Sequence, residues 1–168
     1  MSLRKYLWSV NAVYSLGFNT HELWELISSP NNLEKFHPFC SQNPSIKWEG
    51  AHSIDKIHYH GGKVLTRKFF EWNEGTGYKL LIGENDTDLS MVEWKISAKA
   101  SGSSLEISIY PYRFNEGPKF LNYLPFHLFI KPALNSYLWH IGKGLTYYHN
   151  TGKSVQKNQF GHHKWFSP

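Results

Sequence analysis

Residues 133–152 read ALNSYLWHIGKGLTYYHNTG, and their spacing decides how the chain is built. Leu134, Leu138, Ile141, Leu145 and Tyr148 recur at alternating steps of four and three, which places them on one stripe of an α-helix. Asn150-Thr151-Gly152 is a stop, because Gly152 is free to take the left-handed cap. The helix spans about 27 Å and fits across a curved sheet. One helix over residues 118–150 would run about 50 Å. That exceeds the roughly 30–40 Å width of a compact domain of this size, and Pro125 and Pro132 are expected to interrupt it.

The sheet that this helix covers is read upstream. Trp8, Val10, Ala12, Tyr14 and Leu16 alternate with Ser9, Asn11 and Ser15, a strand over about residues 4–16. Two short helices follow it. Asn19 with Glu22 forms a capping box ahead of Leu23, Trp24, Leu26 and Ile27. Ser29-Pro30 is read as the start of the second, with Leu33 and Phe36 on its apolar side and His37-Pro38 as its end. Ile54–His60 and Lys63–Trp72 flank Gly61-Gly62, a hairpin signal because both glycines can take positive φ. Tyr78–Gly83, Ser90–Ala98 and Leu105–Tyr112 continue an alternating meander with one apolar face. The expected class is α+β: a curved antiparallel sheet of about six to seven strands, with two short helices after strand 1, wrapped around a long C-terminal helix. The domain is drawn at 1–155 and a tail at 156–168.

Composition agrees. The 168 residues make one domain, and 17% aromatic residues belong to a packed chain rather than a disordered one. A single cysteine, Cys40, excludes an internal disulfide and fits a reducing compartment. With no signal peptide or spanning segment in view, the expected location is cytoplasmic. Charge is uneven: residues 117–168 hold six Lys and no acid, against 12 Lys/Arg and 13 Asp/Glu before them. Spread lysines without arginine read as a weakly basic helix face, so nucleic acid is not an expected partner.

Three stretches, HELWELISSPNNLEKFHPF (21–39), RKFFEWNEGTGYKLLI (67–82) and SYLWHIGKGLTYYHNTGKSV (136–155), taken in this order, resemble the START-like superfamily, also called SRPBCC or Bet v-type helix-grip proteins. The resemblance implies a sheet gripping the last helix over an apolar cavity. It also implies binding of sterols, lipids, hormones or polyketides, with cyclase or dehydratase chemistry in some members. Two stretches depart from the pattern: EGPKFLNYLPFHLFIKP (116–132) and the tail KNQFGHHKWFSP (157–168).

Period two directs Tyr59, Tyr78, Trp94, Ile107 and their neighbours toward the helix. Phe36, His37 and Phe39 are expected to close one end, and Phe129, Leu138 and Ile141 to come from the cover. Arg67 has two registers open. Facing inward beside Phe69 and Glu71, it would need a partner or a polar ligand group, since an isolated buried charge is costly; facing outward it would be a surface residue. The ligand-binding set is therefore Phe36, His37, Phe39, Tyr59, Arg67, Phe69, Tyr78, Trp94, Ile107, Phe129, Leu138 and Ile141. Arg67, Tyr59 and Tyr78 are the catalytic candidates if a carbonyl is polarised. His58 and His60 share a strand face without a third ligand, so no metal or cofactor is expected. The leading reading is a carrier or sensor of a small hydrophobic ligand, and a polyketide cyclase or dehydratase is the second. The third is lipid exchange by transient membrane contact, with Phe120, Tyr123, Phe126 and Phe129 dipping in beside Lys119 and Lys131.

Overall fold

A computed structural model describes residues 8–115 and 118–168, apart from the Lys119 side chain. The first part of the expected opening strand, residues 4–7, lies outside the described residues, and β1 is Val10–Leu16. Helix α1 (Thr20–Ser28) starts at the anticipated capping box, with Asn19 and Glu22 each bonding the other's backbone. Helix α2 is shorter than expected, Leu33–Phe36. Pro30 does not open it, because Asn31 takes a left-handed φ of 58° and moves the start to Asn32.

Two three-residue strands follow, β2 (Cys40–Gln42) and β3 (Ser45–Lys47), and then β4 (Ile54–Tyr59) and β5 (Val64–Asn73). In the hairpin joining β4 to β5, only Gly62 has positive φ. Strands β6 (Gly77–Gly83), β7 (Ser90–Ala98) and β8 (Ser103–Tyr110) complete an eight-stranded antiparallel sheet. Its order is β1-β8-β7-β6-β5-β4-β2, with β3 also on β4. Alternation directs Ile57 and Tyr59, Leu80, Val92 and Trp94, and Leu105 and Ile107 to the buried face.

After a turn of helix, α3 (Tyr112–Asn115), residues 119–151 form a nearly continuous helical run. It comprises α4 (Lys119–Pro125), a π-turn (Phe126–Ile130) and α5 (Lys131–Thr151). This corrects the expected interruption. Pro125 ends α4 and the wider π-turn follows it, while Pro132 lies in the first turn of α5, where a missing N–H costs little. Gly152 caps the run at φ 67°. Its stripe Leu134, Leu138, Ile141 and Leu145 is buried against the sheet, and its first third carries large apolar side chains that remain exposed.

Residues 156–168, expected as a tail, pack against the domain. The Gly61 N–H donates to the Phe166 carbonyl at 2.9 Å, the Asn158 N–H to the Pro38 carbonyl at 3.1 Å, and the Phe166 ring lies 4.4 Å from that of Tyr59. Among the described residues no helix is long and apolar enough to cross a membrane.

Candidate functional site

A cavity of about 360 Å³ lies between the sheet and α5. Its wall is mostly apolar: Ile57, Leu80, Val92, Ile107 and Ile109 from the strands, and Leu134, Leu138 and Ile141 from the helix. Beyond Trp94 the space is filled, because Trp24, Trp48, Phe69, Trp72 and Tyr78 pack edge-on and stacked at centroid distances of 5.0–6.4 Å. Trp94 stacks on Tyr78 at 5.7 Å and is the member of this group that reaches the cavity. Exposed Lys63 and Glu84, paired at 3.1 Å, lie at the rim.

The inward register of β5 is the one observed. Arg67 is 3% exposed and takes a two-pronged grip on Asp55, its direct partner across the β4–β5 ladder. Nε donates to Oδ1 at 2.7 Å and Nη2 to Oδ2. Fully buried Asn32 and Asn43 bring their side-chain oxygens to 3.4 Å from Nη2, and the Asn43 amide donates to Asp55 at 3.0 Å. Burial alone would lower the Arg67 pKa, but the Asp55 carboxylate reverses this and holds it above its ordinary value. The guanidinium thus touches the cavity as half of a neutral pair. Glu71, the carboxylate that shares its register in sequence, is turned away by a bulge between Phe69 and Glu71 and pairs with Lys79 at 2.9 Å.

A second polar group stands on the same wall. His37 Nε2 lies 2.7 Å from the Tyr137 hydroxyl, which lies 2.9 Å from that of Tyr59. Burial, aided by the Arg67 charge, pushes the His37 pKa down to about 3, and burial also raises both tyrosines. All three are neutral hydrogen-bonding groups at ordinary pH.

Of the expected residues, the fold brings His37, Tyr59, Arg67, Trp94, Ile107, Leu138 and Ile141 to the cavity wall. Phe36, Phe39, Phe69 and Tyr78 are buried in the core outside the cavity wall. Tyr78 is therefore poorly placed as a catalytic group; its buried hydroxyl closes no hydrogen bond among the described residues. Phe129 is a correction. It is 68% exposed, because the π-turn gives the inward positions to Phe126 and Ile130. Cys40 is buried, and burial pushes its thiol up to about 12, unsuited to a nucleophile. Among the described residues no three His, Cys, Asp or Glu side chains gather as a metal requires.

Sequence reasoning missed Asp55, Asn32, Asn43, Tyr137 and the tail residues Trp165 and Phe166, which also line the cavity. Asp55 was within reach, since it shares the period-two face of Ile57 and Tyr59. Tyr137 lies three residues from Leu134 on the buried stripe. No periodic signal marks the tail.

No family model matches the chain, and no curated protein matches it. Solved structures do. The protein SSP2350 from Staphylococcus saprophyticus superposes with a TM-score of 0.65 at 7% identity, over 89% of this chain and 97% of that one. Ara h 8.0201 gives 0.61 at 14% identity, over 86% and 98%. DynU16, a putative protein in the dynemicin biosynthetic locus, gives 0.62 at 11%, over 89% of this chain and 51% of that one. At such identities the likeness establishes the fold. It is the helix-grip fold of START-like proteins that the sequence resemblance implied.

Proposed function

We propose that this helix-grip protein carries a small, largely apolar molecule in the cavity between its sheet and α5. The observation that carries the reading is the cavity itself: about 360 Å³, walled by aliphatic side chains, with its one charged inner pair already neutralised. The cyclase-type alternative would use Arg67 to polarise a carbonyl. Asp55 already occupies that guanidinium, which favours carriage over catalysis. The test is binding of the uncharged dye N-phenylnaphthylamine, followed by its fluorescence. Saturable binding, abolished in Val92→Phe and Ile57→Phe variants that fill the cavity while the fold is retained, is the expected result. Failure of the dye to bind the folded wild-type protein rules the reading out.

A second reading, exchange of that molecule with a membrane, is favoured by one surface. Phe120, Leu121, Tyr123, Leu124, Leu128 and Phe129 are 55–78% exposed within one helical stretch. Scattered apolar side chains are ordinary on a surface, but a contiguous group of this size marks an interaction site. Ile130 and Leu134 join it to the cavity wall, and exposed Lys131 stands beside it; the side chain of Lys119 lies outside the described residues. Such a face suits insertion at the headgroup boundary. Co-sedimentation with phosphatidylcholine vesicles, with and without phosphatidylserine, should be strong for the wild-type protein and weak for a Phe120→Ser/Phe129→Ser variant. Equal pelleting of the two proteins would discard this reading.

A further inference from the structure

A backbone group fixes the tautomer of His37, and with it the start of a chain of hydrogen bonds through Tyr137 to Tyr59. The Phe39 N–H donates to His37 Nδ1 at 3.2 Å, so Nδ1 is the unprotonated nitrogen. A neutral imidazole then carries its proton on Nε2, and that N–H donates to the Tyr137 hydroxyl at 2.7 Å. An oxygen that accepts polarises its own O–H, so the cooperative arrangement has Tyr137 donating to the Tyr59 oxygen 2.9 Å away. The Tyr59 oxygen is thus an acceptor, and its proton finds no acceptor among the described residues. Tyr59 is 4% exposed and the Phe166 ring holds it from one side, while all three members of the relay border the cavity. A buried O–H left unpaired is destabilising unless a ligand accepts from it.

We infer that the Tyr59 hydroxyl is a built hydrogen-bond donor for the occupant of the cavity, and that the occupant is an uncharged molecule carrying an accepting oxygen, a ketone, quinone or alcohol. Three features select that class. The donor is a neutral phenol, which binds a carbonyl or hydroxyl oxygen. Arg67 is neutralised by Asp55, so among the described residues the inner wall offers no free cation to a carboxylate. Most of the remaining wall is aliphatic and aromatic; apart from half-buried Ser90, its other polar residues, Lys63, Glu84, Asn85 and Asp88, are exposed, so the deep part of the cavity is apolar. The inference rests on the carrier reading and narrows it.

The experiment uses two uncharged naphthalene dyes. Prodan carries a ketone, and its emission moves to the red when that ketone accepts a hydrogen bond; N-phenylnaphthylamine has no carbonyl. Expected for the wild-type protein is saturable binding of both, with bound Prodan emitting as a hydrogen-bonded ketone in an apolar site. Tyr59→Phe should shift that emission to the blue and weaken Prodan about five- to tenfold, leaving N-phenylnaphthylamine within about twofold. Tyr137→Phe keeps the Tyr59 donor and should retain the red-shifted emission. Prodan emission and affinity unchanged by Tyr59→Phe would overturn the inference while the cavity reading stands. If neither dye binds, both fall. Should Tyr59→Phe not fold, the wild-type emission decides: an unbonded ketone in the bound dye refutes the donor.

Discussion

An added Cβ on Gly142 would stand 2.3 Å from the ring of Tyr14, and the Tyr14 hydroxyl donates to the Leu138 carbonyl at 2.6 Å. The first strand therefore touches the last helix where the helix has no side chain. Alanine at position 142 would favour the helix by about 1 kcal/mol on propensity, but overpacking against a fixed ring costs about 1–3 kcal/mol. Gly142→Ala is expected to destabilise the protein by about 1 kcal/mol net in chemical denaturation. In a Tyr14→Ala background the same change should become neutral or stabilising. Additivity of the two substitutions would exclude the contact as the cause.

Gly144 has a harder neighbour. Its Cβ would meet the backbone carbonyl of Phe36 at 1.8 Å, which no rotamer change relieves. Gly144→Ala should cost more than Gly142→Ala and should not be rescued by Tyr14→Ala. A melting temperature equal to wild type would contradict the close approach of α2 and α5.

Asp55 and Arg67 share one buried charge balance. Asp55→Ala leaves the guanidinium without its carboxylate, and breaking such a pair typically costs about 3–5 kcal/mol. The paired replacement Asp55→Leu/Arg67→Met should cost less than Asp55→Ala alone, because no uncompensated charge remains. Denaturation midpoints of the three proteins at neutral pH order them. A double variant less stable than the single would show that Asn32 and Asn43 depend on the ions themselves.

His37 makes stability fall with acid. Its pKa is about 6.5 in an unfolded chain and about 3 in the fold, lowered by burial and by the charge of Arg67. Between those values the unfolded chain binds more protons, so stability is complete above about pH 6.5 and declines toward pH 3. The limiting slope is about 1.4 kcal/mol per pH unit. His60 and His163 are also lowered, chiefly by burial, and act in the same direction. Unfolding free energy measured from pH 7 to pH 4 should be flatter in His37→Gln than in wild type. Parallel profiles would assign the acid sensitivity elsewhere.

Phe166 seals the cavity from the tail, with its ring 4.4 Å from Tyr59 and 4.8 Å from Tyr137. Phe166→Ala should release a bound dye faster while costing about 2 kcal/mol, less than a fully buried phenylalanine. Stopped-flow release of N-phenylnaphthylamine reads the first and denaturation the second. An unchanged release rate would place the exit elsewhere.

Much of this was legible where side chains repeat. The stripe Leu134–Leu138–Ile141–Leu145, the box at Asn19 and Glu22, and the alternation of β7 each encode their element locally. Strands β2 and β3 are three residues long, too short for a period of two to register, and so the sheet proved wider than expected. Pro125 and Pro132 mark breaks on local propensity alone, whereas a π-turn after Pro125 keeps the run helical. Arg67 could be singled out by its register, yet its partner could not. The strand pattern offers Glu71 as that partner, whereas the carboxylate that pairs stands across the ladder at Asp55. Gly142 and Gly144 look in sequence like weak points of a helix, and only the packing reveals them as points of contact.

Val10 pairs with Ile109 at the seam of β1 and β8, so among the described residues β1 finds its neighbour in the sheet about a hundred residues later. Closing so long a loop costs entropy before any cross-strand bond repays it, and proteins dominated by such distant pairings fold slowly. During synthesis β1 leaves the ribosome first and waits, its ladder open, until β8 has followed. The same strand also carries α5, through Tyr14, so the late seam and the helix contact meet on β1.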